Sequence, residues 1–309
     1  MSIFKKPEER EPKKTLSMLI YGMPSCGKTT LACSAPNPVL MDFENGLDRV
    51  NYAHRIPSFT PNTWEDVNTA INELRNSPEI QTVIVDSIDR LMDTAMEYVR
   101  VTYPKLIQRD GTPSMKAYGT RKVLYQQFVQ QMRNMGKNVI YVAHVVEDKR
   151  KVGSEEVIFY RPNISKSNAP DITTDLDMEG FMFADGGNRY ITFDPWGDIE
   201  CKNSCDLHGK WDDACKMYNP MPVPMIIDGN GNATAANDYL TRFFNWNAKR
   251  VQDNFNKMRN AAQPAPQQAP AAAPAAQAPQ PQQAQPEAPA PAAAPAPARS
   301  TKSTTKGGE

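Results

Sequence analysis

Short apolar runs alternate with amphipathic stretches through the first half of the chain. The apolar runs occupy residues 16–21, 39–43, 82–86 and 138–143. Each run lacks an internal proline and is followed by glycine or a polar residue, which is typical of central strands in a parallel sheet. The pattern therefore predicts four buried strands.

The stretches between these runs have helical periodicity. Helices are predicted over residues 28–34, 64–75, 87–100 and 117–135. In 64–75, for example, apolar residues recur every three or four positions, as on one face of a helix. Strands that alternate with helices form βαβ units with right-handed crossovers. The predicted fold class is α/β, with a mostly parallel central sheet flanked by helices.

The pattern changes in the second half of the chain. Residues 147–178 are polar and irregular, and they predict no regular element. Short strands are predicted at 180–184, 189–193 and 198–202, because Gly, Asp and Pro residues separate these runs. These strands would extend the sheet in an antiparallel or mixed manner. A last helix is predicted over 235–260.

Composition divides the chain into three parts. Residues 261–298 consist of 18 Ala, 11 Pro, 8 Gln and one Glu, so they lack the apolar side chains needed to offset ordering entropy. We predict a mobile, charged leader at 1–14, a folded domain at 15–260 and a disordered tail at 261–309 with a basic end. The folded part, of about 250 residues, is long enough for one sizeable core.

Charge and cysteine content exclude several classes of protein. The chain has 35 basic and 35 acidic residues, so it is not a strongly basic nucleic-acid coat protein. Five cysteines in 309 residues do not make a disulfide framework. No apolar run approaches the roughly 18 residues of a membrane span, and the leader lacks the apolar centre of a secretory signal. We expect a soluble, cytoplasmic protein with no membrane partner.

A glycine-rich loop connects the first predicted strand to the first predicted helix. Its sequence, GMPSCGKT at 22–29, matches the phosphate-binding pattern G-x-x-x-x-G-K-[ST], in which backbone N–H groups and a helix N-terminus face the phosphates. Lys28 is predicted to reach the β- and γ-phosphates, and Thr29 to ligate Mg²⁺. The predicted nucleotide-binding residues of this loop are Gly22, Met23, Pro24, Ser25, Cys26, Gly27, Lys28, Thr29 and Thr30.

Acidic residues and a histidine end the neighbouring strands. Asp86 ends the run TVIVD and is the predicted second Mg²⁺ ligand, although an Asp there also commonly caps the next helix. Glu44 is predicted to orient the attacking water, with Asp42 and Asp48 as competitors. His144 ends NVIYVAH and is predicted to contact the γ-phosphate and report its loss. A structural or surface histidine is the alternative.

This chain resembles RecA-type P-loop ATPases in the order of four motifs. These motifs are GMPSCGKT, MDFENGLD, TVIVDS and NVIYVAH. It is more closely similar to phage-encoded, core-only RecA-like ATPases, through VDSIDRL at 85–91, KAYGTRKV at 116–123 and GKNVIYVAH at 136–144. The resemblance covers residues 15–205. It implies a RecA-like ATPase domain that binds ATP and Mg²⁺ and serves phage DNA recombination, strand annealing or replication.

The resemblance also implies roles for single residues. Lys28, Glu44 and His144 take the catalytic roles given above. Relatives complete the γ-phosphate site with basic residues of a neighbouring subunit, which implies a homo-oligomer in the form of a ring or filament. The stretch IECKNS makes Lys202 the trans-acting candidate, although Ser204 stands where relatives often have a second basic residue.

Two polar stretches, 101–120 and 147–170, correspond to the DNA-binding loops of RecA proteins. Both mix basic with aromatic residues, which suits phosphate contact and base stacking on single-stranded DNA. Ordinary solvated loops are the alternative, and a single-strand-binding protein is a further candidate partner. The candidate DNA-binding residues are Lys105, Arg109, Lys116, Tyr118, Lys149, Arg150, Lys151 and Arg161.

Other interpretations stay open at this point. The same fold serves helicase loaders and motor-type ATPases. A small-molecule kinase would transfer phosphate to a metabolite, and a scaffold protein would bind ATP only structurally. Cys201, Cys205, His208 and Cys215 are candidate zinc ligands, but their spacing matches no named zinc motif and free thiols are the default.

Overall fold

The computed structural model describes residues 3–185, 188–195, 197–204, 221–222 and 237–262. The strands are β1 (Ser17–Gly22), β2 (Pro38–Asp42), β3 (Ser58–Phe59), β4 (Thr82–Asp86), β5 (Asn138–Val152), β6 (Glu155–Pro162), β7 (Met178–Asp185), β8 (Asn188–Thr192), β9 (Lys202–Asn203) and β10 (Met221–Pro222). The helices are α1 (Lys28–Ala32), α2 (Trp64–Arg75), α3 (Ile88–Thr102), α4 (Met115–Arg133), α5 (Ala169–Thr173) and α6 (Tyr239–Ala262).

The strand order across the sheet brings the predicted site residues to one edge. The order is β10-β8-β7-β1-β5-β4-β2-β3, and the strands from β7 to β3 run parallel, so their carboxyl ends meet at the same edge. Gly22 pairs with His144, and Asp42 pairs with Asp86. Because β5 lies between β1 and β4, His144 lies between Asp86 and the glycine-rich loop at 22–29, called the phosphate loop below.

Helices cover both faces of the sheet. Ile20 of β1 lies on the face covered by α1 and α6, where it packs in a cluster with Phe243. The next residue, Tyr21, points to the opposite face, where α2, α3 and α4 supply the cluster that includes Phe128. Because side chains alternate between the two faces, the fold has three layers, with the sheet between two layers of helices. The predicted α/β fold with a mostly parallel central sheet is confirmed.

Most elements lie where the sequence predicts them. The four central strands are present as β1, β2, β4 and the first part of β5. Helix α2 spans Trp64–Arg75, the predicted range, and the Thr63 hydroxyl caps it by accepting a hydrogen bond from Asp66 N. The predicted strands at 180–184 and 189–193 correspond to β7 and β8.

The prediction that residues 147–178 are irregular is wrong. Strand β5 continues out of the buried sheet as far as Val152 and pairs in antiparallel register with β6, so residues 145–162 form a β-hairpin. Helix α5 then follows. The outer half of the hairpin is largely exposed, so its sequence carries no apolar run of the kind that marks the buried strands.

The predicted strand at 198–202 is also largely wrong. Regular pairing is confined to β9, whose Lys202 lies opposite Glu179 on β7. Ile199 makes one isolated bridge to Tyr160 at the base of the hairpin. This segment therefore crosses from the hairpin to the edge of β7 instead of forming a full strand.

The predicted leader and the last helix both contact the rest of the fold. Residues 3–14 include a 3-10 turn at Pro7–Glu9, and Lys13 Nζ lies 2.8 Å from Asp177 Oδ2. Helix α6 buries Leu240, Phe243 and Phe244 on the α1 face of the sheet. No helix within the described ranges is long and apolar enough to cross a membrane. Beyond its first two residues, the predicted tail at 261–309 lies outside the described residues.

Candidate nucleotide-binding site

The loop between β1 and α1 depends on two glycines for different reasons. Gly27 has a φ of 97°, in the left-handed region that glycine adopts without strain, and the chain enters α1 directly after it. A Cβ on Gly22 would lie 2.0 Å from the carbonyl oxygen of Met182, so only glycine lets β1 pass β7 at this point. The loop therefore ends with Lys28 and Thr29 as the first residues of the helix.

The Lys28 ammonium lies against the loop backbone. Its Nζ donates hydrogen bonds to the carbonyl oxygens of Gly22 at 3.0 Å and of Met23 at 2.9 Å. Lys28 is buried, and a buried ammonium requires such acceptors. The two carbonyls hold the positive charge at the mouth of the loop, where a phosphate bound by the loop would meet it.

Thr29 and Asp86 are the residues that fit a magnesium ion. Thr29 Oγ1 donates a 2.6 Å hydrogen bond to Asp86 Oδ2, so a hydroxyl oxygen and a carboxylate oxygen are adjacent. Oxygen ligands of these two kinds are those that Mg²⁺ prefers. Burial raises the pKa of Asp86 to about 6, the charges of Glu44 and Asp42 act in the same direction, and the Thr29 hydrogen bond opposes them. A bound cation would relieve this accumulation of negative charge.

Asp42 organises the turn that carries Glu44. Its buried carboxylate accepts hydrogen bonds from the backbone N–H groups of Glu44 at 3.1 Å, Gly46 at 2.9 Å and Leu47 at 2.9 Å. With these three hydrogen bonds, the Asp42 carboxylate fixes the conformation of the turn. Asp48, the other competitor for the water-orienting role, is exposed and pairs with Arg55. Of these three acids, Glu44 is the one that lines the same cleft as Asp86.

Glu44 and His144 meet through a chain of polar contacts. Ser87 Oγ donates a short hydrogen bond to Glu44 Oε1. The same Glu44 oxygen lies 3.5 Å from His144 Nδ1, and this ring nitrogen lies 3.0 Å from Asp89 Oδ2. The four side chains therefore join the ends of β2, β4 and β5 to the first turn of α3.

These groups line one cleft at the carboxyl edge of the sheet. Its volume is about 430 Å³, and its walls include Lys28, Thr29, Glu44, Asp86 and His144. Four more residues of the predicted phosphate-binding loop line it, namely Pro24, Ser25, Gly27 and Thr30, whereas Gly22, Met23 and Cys26 are not among its lining residues. An acid, a cation, a hydroxyl and an imidazole around one cleft are suited to binding a nucleoside triphosphate and to activating water.

Sequence reasoning missed several residues of this cleft. Asp89 is not a lining residue but contacts His144, which is one. It follows Asp86 by three residues, in the first turn of α3, and this spacing in VDSIDRL is the available signal. Arg49, His54 and Arg189 line the cleft, from the turns after β2 and from β8. No motif marks Arg189, because only the antiparallel pairing of β8 with β7 brings it to this edge.

Lys202 lies away from the cleft of its own chain. Its Nζ donates to the carbonyl oxygens of Thr173 at 2.8 Å and Thr174 at 2.9 Å, and its partner on β7, Glu179, lies near the amino end of that strand. Its assignment as a residue that acts on a neighbouring subunit stays a prediction.

Of the four candidate zinc ligands only Cys201 is among the described residues, and its Sγ donates to Thr192 O at 3.4 Å. Cys205, His208 and Cys215 lie outside them.

The candidate DNA-binding residues fall into two exposed groups. Lys149, Arg150 and Lys151 lie on the outer half of β5, and the Arg150 guanidinium lies 5.2 Å from the centre of the Phe159 ring. Arg161 differs from them, because its Nε donates to Asp148 at 2.7 Å and ties together the base of the hairpin.

The second group lies on a shorter loop than the sequence predicts. Helix α3 continues to Thr102 and α4 begins at Met115, so only 103–114 connects them. All four candidates here, Lys105, Arg109, Lys116 and Tyr118, are exposed. Lys116 and Tyr118 belong to the first turn of α4, and the Arg121 guanidinium lies 5.0 Å from the Tyr118 ring.

Comparison with known proteins finds a match over the part of the chain that forms this cleft. Residues 14–205 match a family described as an AAA domain, and they contain every element of the cleft. The SPbeta prophage-derived uncharacterized protein YorG of Bacillus subtilis is 27% identical over 136 residues, which cover 42% of this chain. The match spans 41% of the length of that relative.

Proposed function

Because this chain belongs to the AAA_24 family of AAA-domain P-loop ATPases, we propose that it couples ATP binding and hydrolysis to holding single-stranded DNA during phage recombination, annealing or replication. One observation carries the proposal. Strand β5 runs without interruption from His144 in the cleft to Lys149, Arg150 and Lys151 on the hairpin. A change at the phosphate end of the cleft therefore has a direct path to three exposed basic side chains, of which Lys149 is paired with Glu156.

Each cleft residue has a separate task in hydrolysis. Lys28 binds the β- and γ-phosphates and draws negative charge toward the loop. Thr29 and Asp86 would hold Mg²⁺, which neutralises phosphate charge when it is bound. Glu44 orients water and takes its proton as the water oxygen attacks the γ-phosphorus and the bond to the β–γ bridging oxygen breaks. His144 lines the cleft at the end assigned to the γ-phosphate.

The placement of both basic groups supports DNA binding. Helix α4 has 19 residues, so it is about 28 Å long, and it ends five residues before β5 begins at the amino edge of the sheet. Its N-terminal end, with the 103–114 loop, therefore reaches past the opposite edge, from which the hairpin also extends. The segments 103–114 and 145–162 are thus available to one strand of DNA on the side of the cleft.

The charge of the chain limits how this binding works. The formal net charge is zero, so long-range attraction by the whole protein is weak. Binding must come from local basic residues next to rings, such as Arg150 beside Phe159 and Arg121 beside Tyr118. Contacts of this type suit stacking on unpaired bases and show little sequence preference. The prophage origin of the relative supports a role in phage DNA metabolism.

The test is ATP hydrolysis with and without single-stranded DNA. We expect turnover by the wild type to rise with DNA, Lys28→Ala to lose ATP binding, and Glu44→Gln to keep binding but lose at least tenfold in kcat. Transfer of phosphate to a metabolite with no effect of DNA would favour the kinase alternative. Processive translocation or unwinding would favour the motor alternative.

A second experiment addresses the hairpin directly. The triple variant Lys149→Ala, Arg150→Ala, Lys151→Ala should bind a fluorescent oligonucleotide at least tenfold more weakly, with a shallower dependence on salt concentration. A matched control replaces Lys249, Lys257 and Arg259 with Ala, because these exposed residues of α6 carry the same total charge. Equal losses in the two variants would contradict a specific role for the hairpin.

A further inference from the structure

We propose that Asp89 is a positioning residue that fixes the ring of His144, with Nδ1 toward α3 and Nε2 toward the nucleotide cleft. The inference rests on the proposed ATPase function and deepens it. It assigns a task to an acidic residue that has none in the mechanism proposed above. It also determines which hydrogen bond His144 can make with the reactants.

The geometry singles out one contact. Asp89 Oδ2 lies 3.0 Å from His144 Nδ1, which is hydrogen-bond distance, whereas Glu44 Oε1 lies 3.5 Å from the same nitrogen. Glu44 Oε1 also accepts a hydrogen bond from Ser87, so it is already in use. Asp89 is therefore the principal partner of this nitrogen. Its carboxylate is 17% exposed, so water competes weakly for it.

The chemistry of the pair determines the position of the ring hydrogen. An ionised carboxylate only accepts hydrogen bonds, so the nitrogen that faces Asp89 must carry the hydrogen. In the neutral ring, Nε2 is then left with a lone pair, and His144 lines the cleft. Nε2 consequently accepts a hydrogen bond, and its natural donor there is the attacking water.

Two acceptors then act on one water molecule. Glu44 accepts a hydrogen bond from one hydrogen of the water and takes that proton as the oxygen attacks. His144 Nε2 accepts a hydrogen bond from the other hydrogen, which stays on the oxygen, so that an oxygen lone pair is directed at the γ-phosphorus. Without Asp89 the ring is free to turn, or to carry its hydrogen on Nε2, and a donor at that place would compete for phosphate oxygens. Loss of Asp89 should therefore lower kcat and leave the KM for ATP nearly unchanged.

The ring itself gives a readout that does not need enzymatic activity. Long-range ¹H–¹⁵N spectra of the full chain, titrated to the alkaline limit where imidazoles are neutral, report which nitrogen carries hydrogen, and His144→Gln assigns the signal among the three histidines. We expect the hydrogen on Nδ1 in the wild type and a shift of population toward Nε2 in Asp89→Ala. A wild-type ring with its hydrogen on Nε2 overturns the proposal, whether or not the protein hydrolyses ATP.

Kinetics separate positioning from a structural effect. Asp89→Ala should lower kcat about 10- to 100-fold with less than a twofold change in KM. The matched control is Asp93→Ala, on the same helix, where the carboxylate is exposed and pairs only with the exposed Arg90 among the described residues. In a His144→Ala background, Asp89→Ala should cost nothing further, because it acts through the missing ring. An equal loss in both backgrounds overturns the proposal.

Discussion

Thr29 Oγ1 and Asp86 Oδ2 are joined by a 2.6 Å hydrogen bond between the first turn of α1 and the end of β4. Their strands are not neighbours, because β5 lies between β1 and β4. The two side chains therefore meet across the end of β5, and the bond connects the helix that follows β1 to an acid two strands away. Two candidate magnesium ligands that already touch would need little movement for an ion to enter, which would lower the cost of ordering them.

The Thr29 hydroxyl can be tested as a metal ligand separately from its packing. Thr29→Ala removes the oxygen and should raise the Mg²⁺ concentration for half-maximal ATPase about tenfold, whereas Thr29→Ser keeps the oxygen and should stay within threefold of the wild type. The measurement is turnover against Mg²⁺ at saturating ATP. If Thr29→Ala and Thr29→Ser behave alike, the hydroxyl is not a ligand.

Asp42 offers a test that distinguishes a loop-organising carboxylate from a catalytic one. Asp42→Ala leaves the N–H groups of Glu44, Gly46 and Leu47 without their acceptor and should lower the free energy of unfolding by about 1–3 kcal/mol. It should also lower kcat, because the turn that carries Glu44 is no longer fixed.

The control for Asp42 is Asp48→Ala in the same turn. Asp48 is exposed and pairs with Arg55, and surface pairs of this kind contribute little to stability. We expect unfolding in denaturant and ATP turnover to match the wild type within error. A loss of stability as large as that of Asp42→Ala would contradict the organising role of Asp42.

The comparison of Glu44, Asp42 and Asp48 shows what sequence can and cannot predict here. Strand-terminal placement is a local property, so the ends of β2, β4 and β5 follow from runs of apolar residues and from the phosphate-loop motif. Which of three nearby acids faces the cleft depends on hydrogen bonds within a turn. Those bonds follow from backbone geometry that residue spacing alone does not determine.

The sequence of the hairpin carries a turn signal that apolar runs do not reveal. Gly153 and Ser154 form the connection between β5 and β6, Gly153 has a φ of 66°, and a Gly-Ser pair between extended segments is a hairpin signal. The flanking residues are mostly polar because this part of the sheet buries little surface. A search for apolar runs therefore misses it, whereas a search for turn residues finds it.

Gly22 provides a prediction about close packing. Gly22→Ala would place a methyl group 2.0 Å from the Met182 carbonyl oxygen, so β1 and β7 must move apart at the phosphate loop. We expect a loss of about 2–4 kcal/mol in the free energy of unfolding, together with weaker nucleotide binding. Gly46→Ala is the control, because its new methyl group would lie no closer than 3.8 Å to Asp42 Oδ1. Equal melting temperatures for the two variants would contradict this packing argument.

Glu179 is a buried acid with no role in the proposed mechanism. It is 2% exposed on β7, and its Oε1 has no hydrogen-bond partner among the described residues. Its neighbour Lys202 directs its ammonium to the carbonyl oxygens of Thr173 and Thr174. Burial raises the pKa of Glu179 from 4.5 to about 8, the charge of Glu200 acts in the same direction, and that of Lys202 opposes it.

This raised pKa predicts how stability depends on pH. Between pH 4.5 and 8 the unfolded chain releases the Glu179 proton while the folded chain keeps it, so rising pH favours unfolding. Glu179→Gln removes this linkage and should match the wild type below pH 4.5 but exceed its free energy of unfolding by up to about 3 kcal/mol at pH 7. The measurement is denaturant unfolding across this range, with the exposed Glu73→Gln as control. A Glu179→Gln variant that is less stable than the wild type at pH 7 would mean that the ionised carboxylate has a stabilising partner, because only such a partner reverses the sign of the linkage.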